Sequence, residues 1–258
     1  MTMQPENSDD ADRLAALIEP LAVAAWPAQE VLSCEGWLLR FTSGFTHRGN
    51  SVATFAFGGA NVEGAIAWAE AEYRTRNLAP MFQIATHTEP VDLAERLAAR
   101  GYETVSPTYV RVATPAAMRE NLPDPGDVVL TAHPSDAFVR LVVEGSRSEG
   151  DGRERIEILN RIDAPHICVV ASTGGQVVAC GTATKIGDYV GVNLMRTQAA
   201  HRCQGHAQRV LAAIAGWATE HQAQWVHLGV EMANFSAVAL YAKAGFQPAY
   251  SYRYFRKS

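Results

Sequence analysis

The stretch of sequence that decides the fold is Met195 to Arg209, MRTQAAHRCQGHAQR. Its centre, Arg202 to Ala207, has the form R-x-x-G-x-A and stands before a segment with helical apolar spacing. A glycine lets the backbone approach a ligand closely, and the first N–H groups of a helix offer donors and the positive end of the helix dipole to an anion. The pattern predicts a site that a pyrophosphate would fit, although glycine near a helix start is also common in proteins without one.

The residues around this stretch predict alternating strands and helices in the second half of the chain. The helical spacing of Val210, Leu211, Ile214 and Trp217 indicates an amphipathic helix. The order of elements is strand, helix, antiparallel strands, helix, strand, helix, strand. This order predicts an α+β fold, an α/β/α sandwich around a mixed, mostly antiparallel sheet. The predicted strands are 128–131, 167–171, 177–184, 189–195, 225–230 and 250–255, and the predicted helices are 135–147, 204–220 and 234–244.

A second motif extends from Leu228 to Phe246. It reads L-x-V-x-x-x-N-x-x-A-x-x-L-Y-x-x-x-G-F, with Asn234 and Tyr241 as its polar residues. Together with R-x-x-G-x-A upstream, in this order and at this distance, it resembles the acyl-CoA binding core of the GNAT superfamily of N-acetyltransferases. The resemblance covers residues 128–258 and implies the acyl-CoA N-acyltransferase fold, with acetyl-CoA as co-substrate.

The resemblance also implies roles for individual residues. The strand before the loop would hold the pantetheine arm through its backbone, and Tyr241 would give a proton to the departing thiolate, although a packing role is open for this tyrosine. Glu231 is the first candidate for the base that takes a proton from the amine and His227 the second, and a surface role is equally open for both. Asn234 caps its helix and is also a candidate CoA contact. The implied cofactor-binding residues are Met195, Arg196, Thr197, Arg202, Cys203, Gln204, Gly205, His206, Ala207, Asn234 and Tyr241.

Strand alternation predicts which side chains reach the site, because successive residues of a strand point to opposite faces. The apolar faces are expected to pack in the core and the small or polar faces to line the site. The apolar faces carry Val190, Val192 and Leu194 in one strand and Val226, Leu228 and Val230 in the other. The opposite faces carry Gly191, Asn193 and Met195 in the first and His227, Gly229 and Glu231 in the second.

The first half repeats the outline of the second. Residues 97–102, LAARGY, parallel residues 241–246, YAKAGF, and each segment ends a helix at a glycine before an aromatic-rich strand. The linker-like segment 121–127, NLPDPGD, lies near the midpoint. We therefore expect two tandem copies, 1–122 and 127–258, unless helix, glycine and strand recur by chance. Residues 57–61 stand where the first copy needs a phosphate loop and lack its pattern, so the first copy is expected to be degenerate.

Composition excludes several classes of protein. The chain has 258 residues, 48% hydrophobic and 19% charged, which describes one or two globular domains. Lys and Arg number 22 against 27 Asp and Glu, and the net charge of -5 argues against a nucleic-acid partner. The acidic start, residues 1–13, does not resemble an export signal. The apolar segment 14–25 is too short to span a membrane, so a cytoplasmic protein without a membrane partner is expected.

The cysteines and histidines show no ligand spacing. Cys34, Cys168, Cys180 and Cys203 contain no C-x-x-C pair, so we expect reduced cysteines that serve as packing residues. The histidines form no H-E-x-x-H or H-x-H pattern. No metal is therefore expected.

Two further polar segments have open interpretations. Residues 148–157, SEGDGRERIE, fall where the fold shapes the acceptor pocket, and their acidic side chains either attract a cationic amine or belong to a solvated loop, which is the favoured reading. In the first half, residues 36–40 and 45–51 are predicted to form two strands and a polar turn. Their polar and aromatic residues either contribute to an acceptor cleft or bury an interface; they are Trp37, Arg40, His47, Arg48 and Asn50.

The sequence thus predicts an N-acetyltransferase that moves an acetyl group from acetyl-CoA to a primary amine by direct attack. The acceptor would be a small molecule or a peptide, and the chain a monomer or a homodimer. The alternative is a non-catalytic CoA-binding regulatory module.

Overall fold

The structure, a computed structural model, describes residues 8 to 257, with side chains from residue 11. Residues 1–7 and Ser258, with part of the acidic start that argues against export, lie outside the described residues. The chain forms two compact units. The first contains the chain up to Val110, residues 231–233 and the chain from Ala249, and the second contains residues 111–230 and 234–248. The chain from Ala249 therefore belongs to the first unit. That residues 1–122 form a degenerate copy and residues 127–258 a CoA-binding copy stays a prediction.

The first unit contains a mixed sheet packed against helices. Its strand order is β1-β2-β3-β4-β11-β5, in which β3 and β4 are parallel and β4 and β11 antiparallel. Aromatic and aliphatic side chains, with Trp37 and Phe82 fully buried, form its core. The elements are α1 (Ser8–Ala24), β1 (Glu30–Cys34), β2 (Trp37–Phe41), β3 (Val52–Ala53), α2 (Val62–Thr75), β4 (Met81–Ala85), α3 (Leu93–Ala99), β5 (Glu103–Ala113) and β11 (Gln247–Arg256).

The second unit contains a sheet in the order β10-β9-β8-β7-β6. Neighbouring strands are antiparallel except β9 and β10, which are parallel. The apolar face of α7 packs on this sheet in one core with Val226, Leu228 and Val230, as predicted. The elements are α4 (Pro115–Asn121), β6 (Val128–Thr131), α5 (Asp136–Glu144), α6 (Glu149–Asn160), β7 (His166–Thr173), β8 (Gln176–Ile186), β9 (Tyr189–Thr197), a 3-10 turn (Ala199–His201), α7 (His206–Glu220), β10 (Trp225–Glu231) and α8 (Phe235–Lys243).

The two units share one order of elements. In the first unit, β3, α2, β4 and α3 follow one another, and in the second β9, α7, β10 and α8 do the same. In both series the two strands pair in parallel. The glycines predicted to end the corresponding helices, Gly101 and Gly245, have φ values of +82° and +90°, in the left-handed region that glycine adopts without strain. The chain is therefore a tandem repeat of one α+β topology.

The segment predicted as a solvated loop, residues 148–157, is a helix, so that prediction was wrong. The hydroxyl of Ser148 accepts a hydrogen bond from the N–H of Asp151 at 3.1 Å and caps α6. Asp151 is 2% exposed, and its carboxylate forms an ion pair with the guanidinium of Arg155 at 3.0 Å. Glu154 is 1% exposed. Local capping and ion pairs one turn apart stabilise a helix in a segment of low apolar content. Two of its acidic side chains are thus buried within the unit.

The polar residues of the first half also differ from the prediction. Residues 37–40 lie in β2 as expected, but residues 45–51 form turns rather than a strand. Trp37 is fully buried and donates to the carbonyl of Glu89 at 2.8 Å. Arg40 is 2% exposed and donates to the carbonyl oxygen of Ser51 at 3.0 Å and to Gln83 at 2.9 Å. Trp37 and Arg40 are therefore part of the interior of the first unit.

A buried carboxyl group lies in the same polar cluster. Glu19, on α1, is 3% exposed and accepts a hydrogen bond from Gln83 at 2.6 Å. Burial raises the pKa of Glu19 to about 7, although the Tyr250 hydroxyl and the Arg40 guanidinium act in the opposite direction. The folded protein therefore holds this proton at a pH where the unfolded chain has released it.

We expect the free energy of unfolding to fall as the pH rises from the ordinary glutamate value of 4.5 to about 7. Because the pKa of Glu19 is raised in the folded protein, its contribution to stability is complete below pH 4.5 and is lost as the pH rises past about 7. The difference between the two pKa values corresponds to about 3 kcal/mol of unfolding free energy. Urea denaturation at pH 5 to 8 measures the slope. Glu19→Gln should flatten it and the exposed control Glu95→Gln should not; an unchanged slope in Glu19→Gln would assign the effect to other groups.

Candidate active site

The parallel pair β9 and β10 separates partway along its length. The aligned pairs are Trp225 with Tyr189, Val226 with Val190, and His227 with Gly191, and there the register ends. Both strands continue, β9 to Thr197 and β10 to Glu231. On its other side β9 stays paired with β8 as far as Thr197. From Val192 onward, the edge of β9 that faces β10 therefore lacks its strand partner and is open to backbone hydrogen bonds from a ligand.

An irregularity in β9 accompanies the separation. Thr182 pairs with Asn193 and Cys180 with Arg196, so that β9 has one extra residue in the stretch opposite Gly181. Leu194 has a φ of +53°, in the left-handed region, which marks a β-bulge. The bulge shifts the alternation of side chains along the rest of the strand.

The face predicted for Met195 was therefore wrong. Met195 packs against the same core as Val190 and Val192, whereas Leu194 is buried outside that cluster. A β-carbon added at Gly181 would come within 2.9 Å of Val210 on α7 and would also collide with the side chain of Met195. The Met195 side chain therefore lies on the side of the sheet that α7 covers. The alternation held as far as Asn193 and failed at the bulge, because the period of two assumes uninterrupted pairing.

The R-x-x-G-x-A segment forms the loop that leads into α7. Cys203 and Gly205 have φ values of +60° and +81°, and Gly205 is the residue that precedes the first turn of the helix. The first backbone bond of the helix runs from Arg209 N–H to Gly205 O at 3.1 Å. In the described part of the chain, the N–H groups of residues 203–208 have no hydrogen-bond acceptor. The loop thus presents unsatisfied donors at the positive end of a helix.

The side chains of this loop are mostly solvent-exposed. Arg202, Cys203 and Gln204 are exposed, and Gly205 and Ala207 are partly buried. Cys203 is therefore not a packing residue, and that prediction was wrong. Cys168 and Cys180 do pack in the interior, where burial raises the pKa of each thiol to about 12. The segment 195–209 contains Arg and His but no Asp or Glu, so no acidic side chain of the segment opposes an anion.

His206, the first residue of α7, is 8% exposed. Its Nδ1 accepts from Arg209 at 3.3 Å, which places the ring proton on Nε2, and that atom has no hydrogen-bond partner among the described residues. Burial, then Arg209 and His201, lowers the pKa of His206. The lowered pKa favours the neutral form of this buried ring.

Arg209 is a positioning residue that sequence analysis missed. Its guanidinium donates to three carbonyl oxygens, those of Pro125 at 2.8 Å, Asp127 at 2.6 Å and Ser172 at 2.9 Å. These bonds attach the segment before β6 and the end of β7 to the first turn of α7. Carbonyl acceptors leave no trace in a sequence pattern, so no signal in the sequence identifies this arginine.

Tyr241 lies on α8 and is 7% exposed, with its ring 5.9 Å from that of Phe246. Burial raises the pKa of Tyr241 to about 12, and the charge of Arg196 acts in the opposite direction. The hydroxyl therefore keeps its proton at neutral pH. Arg196 donates from Nη1 to the carbonyl of Met195 at 2.9 Å, and Thr197 ends β9.

The remaining predicted residues lie on β10 or at the start of α8. Glu231 is its last residue and is exposed, while His227 is 6% exposed. Asn234 caps α8, because its side-chain oxygen accepts from the N–H of Ala237 at 3.2 Å. The capping role predicted for Asn234 is confirmed, and its contact with CoA stays a prediction.

The corresponding loop of the first unit is closed by its own chain. The N–H of Gly58 donates to the carbonyl of Glu35 at 2.7 Å, and that of Phe57 to the carboxylate of Glu89 at 3.2 Å. A β-carbon at Gly59 would approach the Glu35 side chain to 2.8 Å. Donors that are already satisfied beside carboxylates offer no comparable anion site.

The described residues contain neither a metal-binding cluster nor a membrane-spanning helix. Between residues 8 and 257 no group of three His, Cys, Asp or Glu side chains is arranged to hold a metal ion. No helix in that range is both long and apolar enough to cross a membrane.

Similarity to known proteins identifies the chain as an acyl-CoA dependent N-acetyltransferase with the GNAT fold. The family model described as "Probable histone acetyltransferase Rv0428c C-terminal" matches residues 16–255, and the chain belongs to that family. The chain is 29% identical over 246 residues to YobR of Bacillus subtilis (strain 168), described as an uncharacterized N-acetyltransferase, covering 92% of this chain and 96% of that protein.

Solved structures share the fold at low sequence identity. A GCN5-related N-acetyltransferase from Kribbella flavida superposes with a TM-score of 0.68 at 16% identity, over 96% of this chain and 95% of that one. A tandem GNAT protein from the clavulanic acid biosynthesis pathway gives a TM-score of 0.60 at 12% identity, over 96% and 87%. These similarities confirm the GNAT fold, and the tandem neighbour agrees with the repeat of topology within this chain.

Proposed function

We propose that this protein transfers the acetyl group of acetyl-CoA to a primary amine of an acceptor by direct attack of the amine on the thioester. One observation supports this proposal most strongly. The open edge of β9 and the loop 203–208, with its unsatisfied N–H groups, lie in succession in one unit.

The residues of the second unit fit a CoA molecule. Backbone groups of residues 195–197 would hold the pantetheine arm as an added strand is held. The N–H groups of residues 203–207 would receive the pyrophosphate, with Arg202 adding positive charge. Asn234 would contact the pantetheine in addition to capping α8. This arrangement explains why a loop exposed to solvent contains a left-handed glycine and no acidic side chain.

The proposed chemistry needs one group that accepts a proton and one that donates a proton. An alkylamine is mostly protonated near pH 7, and Glu231, exposed at the end of β10, takes its proton directly or through water. Tyr241 gives its proton to the departing thiolate. Because burial raises the pKa of Tyr241 to about 12, the hydroxyl is available as a donor throughout the neutral range.

Acetyl-CoA is expected to raise the melting temperature of the protein. At a concentration 100 times the Kd, ligand binding adds about 2.7 kcal/mol of stability, or about 5 °C or more for a chain of this size. CoA without an acetyl group should act similarly, because the proposed contacts are to the pantetheine and the phosphates. ATP, which carries phosphates but no pantetheine arm, should act much more weakly. No rise with acetyl-CoA or with longer acyl-CoA esters would contradict the proposal.

Release of free thiol from acetyl-CoA separates the proposed enzyme from a non-catalytic CoA-binding module. Both bind acetyl-CoA, but only the enzyme releases thiol when amines are added. Stabilisation by acetyl-CoA without thiol release for any amine in a broad panel would favour the module.

A further inference from the structure

One face of the sheet of the second unit carries a strip of buried or partly buried polar side chains. Along β8, Ala179 and Ala183 pack toward α7, so the residues that alternate with them point to the opposite face, which α5 contacts. Thr182 and Thr184 lie on that face. Arg196, beyond the bulge of β9, also lies there, because a β-carbon at Gly145 at the end of α5 would come within 2.9 Å of its Cδ. We call Thr182, Thr184 and Arg196 the donor strip.

Each member of the donor strip has a buried polar atom without a hydrogen-bond partner among the described residues. These atoms are the hydroxyl oxygens of Thr182 and Thr184 and the Nε of Arg196. Thr182 is 1% exposed and Thr184 fully buried. More than nine in ten buried polar groups in proteins are paired, and leaving one unpaired is destabilising. The three groups of the strip therefore have hydrogen-bonding capacity that the described part of the chain does not use.

The donor strip runs beside the point where β9 and β10 separate. Thr184 lies opposite Gly191, the β9 residue of the last aligned pair with β10. Thr182 lies opposite Asn193, just beyond that point, and Arg196 follows after the bulge. An acceptor that reaches a thioester in the gap between the strands would therefore meet the strip on the α5 side of the sheet.

The chemistry of the strip selects the kind of group that it binds. A guanidinium Nε–H only donates, and a threonine hydroxyl donates or accepts. Donation is the function common to all three, so the complementary group is an oxygen acceptor such as a carboxylate or a carbonyl. A side-chain amine at the end of an alkyl arm, or a polyamine, carries no such oxygen close to its nitrogen.

We propose that the donor strip binds the carboxylate or carbonyl oxygen next to an α-amine, so that the acceptors of this enzyme are free amino acids or peptide N-termini. This inference rests on the proposed function and adds the acceptor class to it. The strip fixes the oxygen while the neighbouring amine points to the thioester.

The experiment compares acceptor pools with acetyl-CoA as donor, using thiol release as the readout. The pools are common amino acids, dipeptides, amines without a carbonyl (ethylamine, putrescine and spermidine), and Nα-acetyl-lysine. We expect turnover with the first or second pool, which distinguishes the two sources of the α-amine, and at least tenfold lower kcat/KM with the others. Thr184→Val should lower kcat/KM for the active pool about tenfold and leave the carbonyl-free amines unchanged.

Two further variants serve as controls. Thr184→Ser keeps a hydroxyl and should retain the preference, and Thr173→Val removes an exposed hydroxyl on β7 and should have no effect. Equal use of carbonyl-free amines, or an unchanged kcat/KM in Thr184→Val, would overturn the inference. Stabilisation by acetyl-CoA without turnover of any α-amine would also overturn it, whereas absence of stabilisation would mark failure of the proposed function itself.

Discussion

Replacing Gly205 with glutamate is expected to abolish the stabilisation of the protein by acetyl-CoA. The new carboxylate would stand at the start of α7, where the N–H groups of residues 203–208 are proposed to receive the pyrophosphate. Loss of one or two charge-assisted hydrogen bonds weakens binding by about 3 kcal/mol, which is about 100-fold in Kd. Thermal melting across an acetyl-CoA titration measures the change.

Two matched variants separate charge from backbone strain. Gly205 has a φ of +81°, and asparagine tolerates this conformation, so Gly205→Asn should retain most of the stabilisation. Gly216→Glu adds the same charge within α7, where a β-carbon meets no atom within 4 Å, and should bind acetyl-CoA normally. If Gly205→Glu still melts higher in acetyl-CoA, the anion site lies elsewhere.

Local signals in the sequence predicted most of the fold correctly. The strand 128–131 has the predicted bounds, and the helix that Asn234 caps begins where the motif places it. Caps, glycine ends and apolar periodicity are properties of a few neighbouring residues, so a single sequence contains them. The capping signal was also present at Ser148, whose side chain caps α6. The helix was not predicted there because the segment has few apolar residues and therefore no apolar periodicity.

The remaining features depend on distant partners. The side-chain direction of Met195 depends on a bulge between β8 and β9, and Arg209 acts through the carbonyls of Pro125, Asp127 and Ser172. The last strand, β11, pairs with β4 rather than completing a unit made only of residues 127–258. Such pairings join residues far apart in the chain, and no local pattern encodes them.

The candidate site shows the same division. The R-x-x-G-x-A loop before α7 was recognisable in the sequence, because a glycine and the start of a helix are local features. The donor strip was not, because Thr182, Thr184 and Arg196 differ from other polar residues only in having polar atoms without a hydrogen-bond partner among the described residues. The proposed acetyl-CoA site could thus be recognised from the sequence, whereas the proposed acceptor site could be recognised only from the packing of the folded chain.

Replacing Tyr241 with phenylalanine is expected to lower kcat by about 100-fold or more while acetyl-CoA binding is retained, because a positioned general acid contributes on this scale. Phenylalanine preserves the ring that packs beside Phe246 in the core, so the fold should be unchanged. Initial rates of thiol release give kcat, and melting in acetyl-CoA reports binding.

The pH dependence of this loss tests the assigned role. Because the pKa of Tyr241 is raised to about 12, the wild-type hydroxyl stays protonated from pH 6 to 9, and the ratio of wild-type to variant kcat should be constant over that range. A base acting as tyrosinate would instead make the ratio grow with pH. Tyr189→Phe, on β9 at the end away from the loop, serves as the matched control and should keep the wild-type rate. An unchanged kcat in Tyr241→Phe would leave this tyrosine as a packing residue and require another group to protonate the thiolate.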